Sequence, residues 1–340
     1  MTYRIAINGY GRIGQSVLRA CYLNRERFPD LKVVAINELA DLDTLTYLTR
    51  YDTTHGRFPA AVENDGRRLL IADDAISVFN EPTPECLPWG DLGVDLVLEC
   101  TGSYSDRATA EKHLHSGAGR LLFSQPAADD IDATIIYGFN HRKLKLSDRI
   151  ASSASCTTNC VVPVFNLLDC AFGIDSGVST TIHSAMNDQP VIDRNRQGDL
   201  RLTRSAMNSM VPVRTGLHHG IVKFFPHLRG RIESVHLRVP TINVSLMDLA
   251  INLQQETDAA SINALFREAA AGDLQGLLGY SEEPHASVDF NTDSHSAIVD
   301  GTQTRVSNGQ LVKLMVWFDN EWSYANRMLD VARYWLGLGK

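Results

Sequence analysis

Apolar positions divide the chain into two kinds of pattern. In the first half, short apolar runs alternate with longer stretches of helical spacing. Tyr3 to Ile7 is a β-type run, and Gln15 to Leu23 is helix-like. Lys32 to Ile36 is a second strand, Asp41 to Tyr51 reads as helix, and Thr53 to Pro59 reads as loop. Asp95–Cys100 and Arg120–Phe123 are apolar runs of strand length, as in a sheet covered on both faces. This alternation up to about residue 150 predicts an α/β dinucleotide-type domain with a doubly wound sheet. The second half reads differently. An apolar run, Val161 to Phe172, is followed by strands at Val178–Ile182, Arg231–Val239, Asn243–Leu253 and Gln310–Phe318, and by a helix over 320–337. That half is expected to be α+β with a mostly antiparallel sheet. The expected division is residues 1–155 and 156–319.

The ends of the first-half strands carry the first chemistry. Asn8-Gly9-Tyr10-Gly11-Arg12-Ile13-Gly14 lies between a strand and a helix, the Rossmann context for GxGxxG. Gly9, Gly11 and Gly14 allow a tight turn, close approach of backbone to a pyrophosphate, and close helix–strand packing. The second strand ends at Asn37-Glu38, where an acid can bond the ribose hydroxyls and favour NAD over NADP. Thr101 and Ser124 end two further strands. They either line the nicotinamide side or are ordinary loop hydroxyls.

Composition narrows the class. Hydrophobic content is 44%, charged content 21% and the formal net charge −8 over 340 residues. These values suit a soluble globular protein and speak against nucleic-acid or anionic-membrane partners. There is no run of 18 apolar residues, and Met1-Thr2-Tyr3-Arg4 leads straight into strand pattern. The six cysteines show no CxxC pair or zinc spacing, so no metal is expected and free thiols in a reducing cytoplasm are.

The central chemistry is Ser153-Ala154-Ser155-Cys156-Thr157-Thr158-Asn159-Cys160. Its Ser and Thr residues read as a helix start. A cysteine there meets exposed N–H groups and the positive end of the macrodipole, which favour thiolate. His183, delivered by the strand at 178–182, is the leading base; Cys160, one turn beyond Cys156, reads as a buried structural thiol. A Cys–His pair alone suits hydrolysis equally well. With a dinucleotide loop it points to aldehyde oxidation: a hemithioacetal, hydride loss, and a thioacyl resolved by water or phosphate. Arg238, in an apolar strand, either meets a substrate phosphate or forms a buried salt bridge. Ser155, Thr157, Thr215 and Gly216 could add donors around an anion. The long polar stretch 185–209 carries four arginines and reads as a functional or interface loop.

The glycine motif, Ala154-Ser-Cys-Thr-Thr-Asn-Cys and Trp317-Phe-Asp-Asn-Glu-Trp-Ser-Tyr together resemble the glyceraldehyde-3-phosphate dehydrogenase family over the full chain. Within it, Asn37-Glu38-Leu39-Ala40-Asp41, His183-Ser-Ala-Met-Asn-Asp-Gln and Ser287-Val-Asp-Phe-Asn are most similar to the branch that oxidises erythrose 4-phosphate. The resemblance implies Cys156 as nucleophile and His183 as its activator. It implies Arg12 and Ile13 at the dinucleotide and Asn320 at the nicotinamide carboxamide. It sets Ser155, Cys156, Thr157, Thr215, Gly216 and Arg238 around a sugar-phosphate aldehyde. It further implies a homotetramer, with 185–209 lining a neighbour's cofactor site, and a final helix, 320–340, packed back on the dinucleotide domain. Four departures stand out. Glu38 replaces an aspartate of the phosphorylating enzymes, Met186 replaces a threonine whose hydroxyl helps hold the substrate's phosphate, and Leu202 replaces the second of a paired arginine. A basic residue near the adenine corresponds to Pro82.

Overall fold

The computed structural model describes residues 2–339. It divides into two compact units. One runs to Ser155 and takes up the chain again from Tyr324; the other is Cys156–Ser323.

The first unit is a Rossmann-type α/β domain built on a nine-stranded sheet. Its order is Ala133–Thr134, Ile150–Ser152, Arg120–Phe123, Leu96–Glu99, Tyr3–Asn8, Leu31–Asn37, Asp74–Phe79, Arg68–Ile71, Val62–Asn64. The first seven are mutually parallel, and the last two form an antiparallel edge. Ile5, Ile7, Leu96, Leu98, Leu121 and Leu122 are fully buried, which is why these strands read as unbroken apolar runs. From the central strand Tyr3–Asn8 the sheet grows both ways, to Leu31–Asn37 on one side and Leu96–Glu99 on the other. Such a reversal opens a crevice at the carboxyl ends.

Two local expectations are corrected here. The first helix is Arg12–Leu23, starting directly after Gly11 rather than at Gln15. Residues 53–59 are not plain loop, because Gly56–Arg57 pairs antiparallel with Tyr51–Asp52. The helix Trp322–Gly337 buries Met328, Leu329, Ala332 and Trp335, and Arg120 donates to the Trp335 carbonyl at 2.7 Å. The Arg27–Asp330 ion pair, at 2.7 Å, ties the same helix to the loop after the first helix.

The second unit is α+β. Its main sheet runs Val211–Val213, Ile232–Arg238, Ile174–His183, Ser245–Leu253, Leu311–Phe318, Ala297–Asp300, Leu278–Ser281. Most neighbours are antiparallel. Two pairs are parallel, one of them Ile174–His183 with Ile232–Arg238. The helix Cys156–Phe172 packs on this sheet, and its Val161, Val164, Phe165 and Leu168 are fully buried. Pro163 lies inside it and removes one backbone donor from the helix.

Candidate active site

In the first unit the glycine loop closes over the strand ends. Gly9 has φ +88°, and a Cβ there would lie 2.5 Å from the Thr101 backbone nitrogen. A Cβ at Gly14 would lie 2.3 Å from the Gly9 carbonyl oxygen. Any side chain at either position would force this loop off the sheet. A cleft follows the loop, lined by Gly9, Gly11, Glu38, Leu39, Pro82 and Thr101 among others. Glu38 accepts hydrogen bonds from the backbone N–H groups of Tyr10 and Leu39, each at 2.7 Å. Its carboxylate is thereby fixed at the cleft edge, where a ribose diol can meet it. The cleft, the Cβ-free loop and the oriented acid fit a dinucleotide.

Beneath the cleft lies a buried network that the sequence did not announce. Glu99 is 1% exposed and accepts from Asn8, from the Thr101 N–H at 2.9 Å and from the Thr101 hydroxyl. Thr101 is therefore held by its neighbours in the loop, with its hydroxyl directed at Glu99. Ser124 sits at the end of the next strand and is not part of the cleft lining; its hydroxyl meets the buried Cys100 thiol. The Arg12 guanidinium pairs with Asp52 at 2.7 Å, and Asp52 is held well below the usual carboxylate range by His55 and Arg12 despite burial. Ile13 is half-buried in the first turn of the helix.

In the second unit Cys156 is the first residue of its helix and half-buried. The preceding Ala154 has φ +55°, and its N–H donates to the Ser152 hydroxyl at 2.9 Å. Tyr324 donates to the Ala154 carbonyl at 2.9 Å. The turn before Cys156 is thus over-determined. Ser155 lies in this turn, half-buried, and Thr157 is buried in the helix's first turn.

His183 ends the strand Ile174–His183 and is buried. Its Nε2 lies 3.8 Å from the Cys156 sulfur, and its Nδ1 meets the Ser184 carbonyl at 2.8 Å. A carbonyl only accepts, so Nδ1 carries the proton and Nε2 turns its lone pair to the thiol. Burial pushes the thiol up to about 11, against the lowering pull of helix N–H groups and Arg238. Burial also drives His183 down to about 4. The resting pair is therefore thiol and neutral imidazole, poised for transfer of one proton within the pair. The helix-start effect is present, but desolvation outweighs it.

Arg238 is buried at the end of the neighbouring strand and pairs closely with Asp188, which is 39% exposed. Its buried Nε has no partner among the described residues. Thr215 accepts from the Leu217 N–H at 3.1 Å, and Gly216 caps the helix Leu217–Phe224, which packs on the cysteine helix. Asn320 is buried, and its Oδ1 accepts from the hydroxyls of Ser184 at 3.0 Å and Ser245 at 2.7 Å. That fixes the amide and leaves its NH2 to serve a carbonyl acceptor. Cys160 is fully buried, and burial holds its thiol well above the ordinary range. Ser184, Ser245 and the partner role of Asp188 were beyond sequence reading, because each depends on strand neighbours far apart in the chain.

The chain matches two family descriptions: Glyceraldehyde 3-phosphate dehydrogenase, NAD binding domain, over residues 3–107, and Glyceraldehyde 3-phosphate dehydrogenase, C-terminal domain, over residues 155–320. The chain belongs to the glyceraldehyde-3-phosphate dehydrogenase family. It is an NAD-dependent aldehyde-phosphate dehydrogenase, and the first unit carries its NAD-binding domain. Among the described residues no helix is long and apolar enough to cross a membrane, and no cluster of three His, Cys, Asp or Glu could hold a metal.

Proposed function

We propose that this dehydrogenase oxidises erythrose 4-phosphate to 4-phosphoerythronate through a thioacyl group on Cys156 that water resolves. The observation that carries the chemistry is the Cys156–His183 pair, with the basic nitrogen turned to the sulfur at 3.8 Å. As Sγ attacks the aldehyde carbon, its proton passes to Nε2 and then to the new alkoxide oxygen. NAD bound in the first unit supplies the hydride acceptor. As the hydride leaves, His183 takes the hydroxyl proton back, and the carbonyl of the thioester forms. His183, relieved of that proton, then draws one from water; the hydroxide adds to the thioester and expels the thiolate. The balance is aldehyde, NAD and water giving carboxylate, NADH and two protons.

Arg238 is the phosphate candidate, and a substrate phosphate would compete with Asp188 for it. Thr157, Ser155 and the Thr215-Gly216 turn would add donors, and Asn320 would hold the carboxamide. Gly9, Gly11, Arg12, Ile13, Gly14, Glu38, Thr101 and Ser124 are read as the cofactor side.

Met186 supports the four-carbon substrate. It is 46% exposed, and its thioether cannot donate the hydrogen bond that, by the family resemblance, a threonine at this position gives a three-carbon substrate's phosphate. The same reading makes the chain a cytoplasmic homotetramer that feeds pyridoxal 5′-phosphate synthesis. Exposed Val191, Ile192, Leu200 and Met207 in the 185–209 segment favour self-association, and six unpaired cysteines suit a reducing compartment. The second reading is the phosphorylating glyceraldehyde 3-phosphate enzyme, favoured by the family descriptions the chain matches. NADH formation with each sugar phosphate, with and without inorganic phosphate, separates the two. Fast turnover of the four-carbon sugar that ignores phosphate supports the proposal; phosphate-dependent turnover of the three-carbon sugar overturns it.

A further inference from the structure

We propose that His236 is a positioning residue that holds the His183 ring by its face, a role that rests on Cys156–His183 being the thiol-activating pair. The strands Ile174–His183 and Ile232–Arg238 are parallel neighbours, with Thr181 opposite His236 and His183 opposite Arg238. Alternation along each strand puts His183 and His236 on the same face, two positions apart. Their rings stack with centroids 5.0 Å apart and planes at 27°. Phe318 meets the His183 ring by its edge, at 6.4 Å and 71°. The Ser184 carbonyl fixes Nδ1. The last side-chain torsion of a histidine is broad, so one hydrogen bond leaves the ring free to rock about it. The two aromatic contacts remove that freedom and keep Nε2 on the sulfur.

His236 is also suited to a neighbour that becomes charged. Burial drives it down to about 3, so it stays neutral while His183 gains a proton. A neutral imidazole face accommodates an imidazolium, where a charged ring would repel it. Its buried Nε2 has no hydrogen-bond partner among the described residues, so the ring contributes its face rather than its edge. The charged and titratable groups around the pair are the Cys156 thiol, the Arg238–Asp188 ion pair and the Asp319 carboxylate.

The test compares His236→Leu, which keeps bulk without a ring, and His236→Phe, which keeps the ring without nitrogens, with His183→Asn as reference. The readouts are kcat, KM for NAD, and the pH profile of Cys156 alkylation by iodoacetamide followed on its own peptide. The expected result for His236→Leu is a fall in kcat of about tenfold with KM for NAD unchanged. Its alkylation profile shifts toward that of His183→Asn, and His236→Phe stays near wild type. A wild-type profile and kcat in His236→Leu overturn the role of His236 alone, as does a His236→Phe enzyme as impaired as His236→Leu. A profile unmoved by His183→Asn overturns the underlying pair and this inference with it.

Discussion

His183 presents Nε2 to the Cys156 sulfur at 3.8 Å while its Nδ1 is committed to the Ser184 carbonyl at 2.8 Å. The carbonyl selects the tautomer, and the tautomer makes the ring a base toward the thiol. Replacing His183 by Asn removes the only nitrogen base bonded to that sulfur among the described residues. The expected loss in kcat is about 10²–10⁴-fold, the usual worth of general acid–base catalysis. NAD affinity, measured by calorimetry, should not change. A kcat within a few-fold of wild type would contradict the assignment.

Acid should destabilise the second unit in a defined window. His183 and His236 titrate at about 4 and about 3 in the folded chain, both lowered by burial, against an ordinary value of 6.5. Between those values the unfolded chain binds more protons, so stability falls as pH falls. The contribution is complete above pH ~7 and declines from about 6.5 downward, with a slope approaching 1.4 kcal/mol per pH unit per site, ~25 °C. Thermal unfolding of His236→Leu should therefore lose less between pH 7 and 5 than wild type. Equal losses would contradict the buried neutral state.

The glycine loop gives a steric prediction. Gly9→Ala combines φ +88° with a Cβ 2.5 Å from the Thr101 nitrogen. The left-handed conformation alone costs about 1–2 kcal/mol, before the clash is relieved. Both the unfolding temperature and NAD affinity should drop. Glu38→Gln, by contrast, should leave the fold intact and weaken NAD about tenfold or more, the worth of hydrogen bonds to a charged group. Unchanged calorimetric affinity in Glu38→Gln would remove Glu38 from the ribose site.

Substrate choice is open to a single exchange. Met186→Thr puts a hydroxyl at an exposed position near the start of the 185–209 segment. Phosphate-dependent turnover of glyceraldehyde 3-phosphate should rise relative to the four-carbon sugar. An unchanged ratio would mean that Met186 does not set the preference.

Much of this was legible before the structure. The central strands are apolar on both faces and announce themselves, and the glycine motif sits between a strand and a helix. Cys156 and His183 could be singled out because each stands at the boundary of an element. The helix Arg12–Leu23 starts earlier than its apolar period because Arg12, Ile13 and Gly14 form its first turn, where the glycine obscures the pattern. The helix Arg107–His115 escaped because only Ala110 and His113 are buried, too few to set a stripe. The edge strands Val62–Asn64 and Arg68–Ile71 are too short to show a period of two. The Arg238–Asp188 ion pair and the His183–His236 stack were illegible for another reason. They depend on which strand lies beside which and in what register, and a lone sequence does not state that.

The most direct measurement is acid-quench trapping of the reacting enzyme with NAD and erythrose 4-phosphate, followed by mass analysis of the peptide holding Cys156. An acyl adduct on Cys156 should form with the first equivalent of NADH and disappear as water resolves it. NADH formation with no adduct on Cys156, or undiminished turnover in Cys156→Ser, would contradict the thioacyl mechanism.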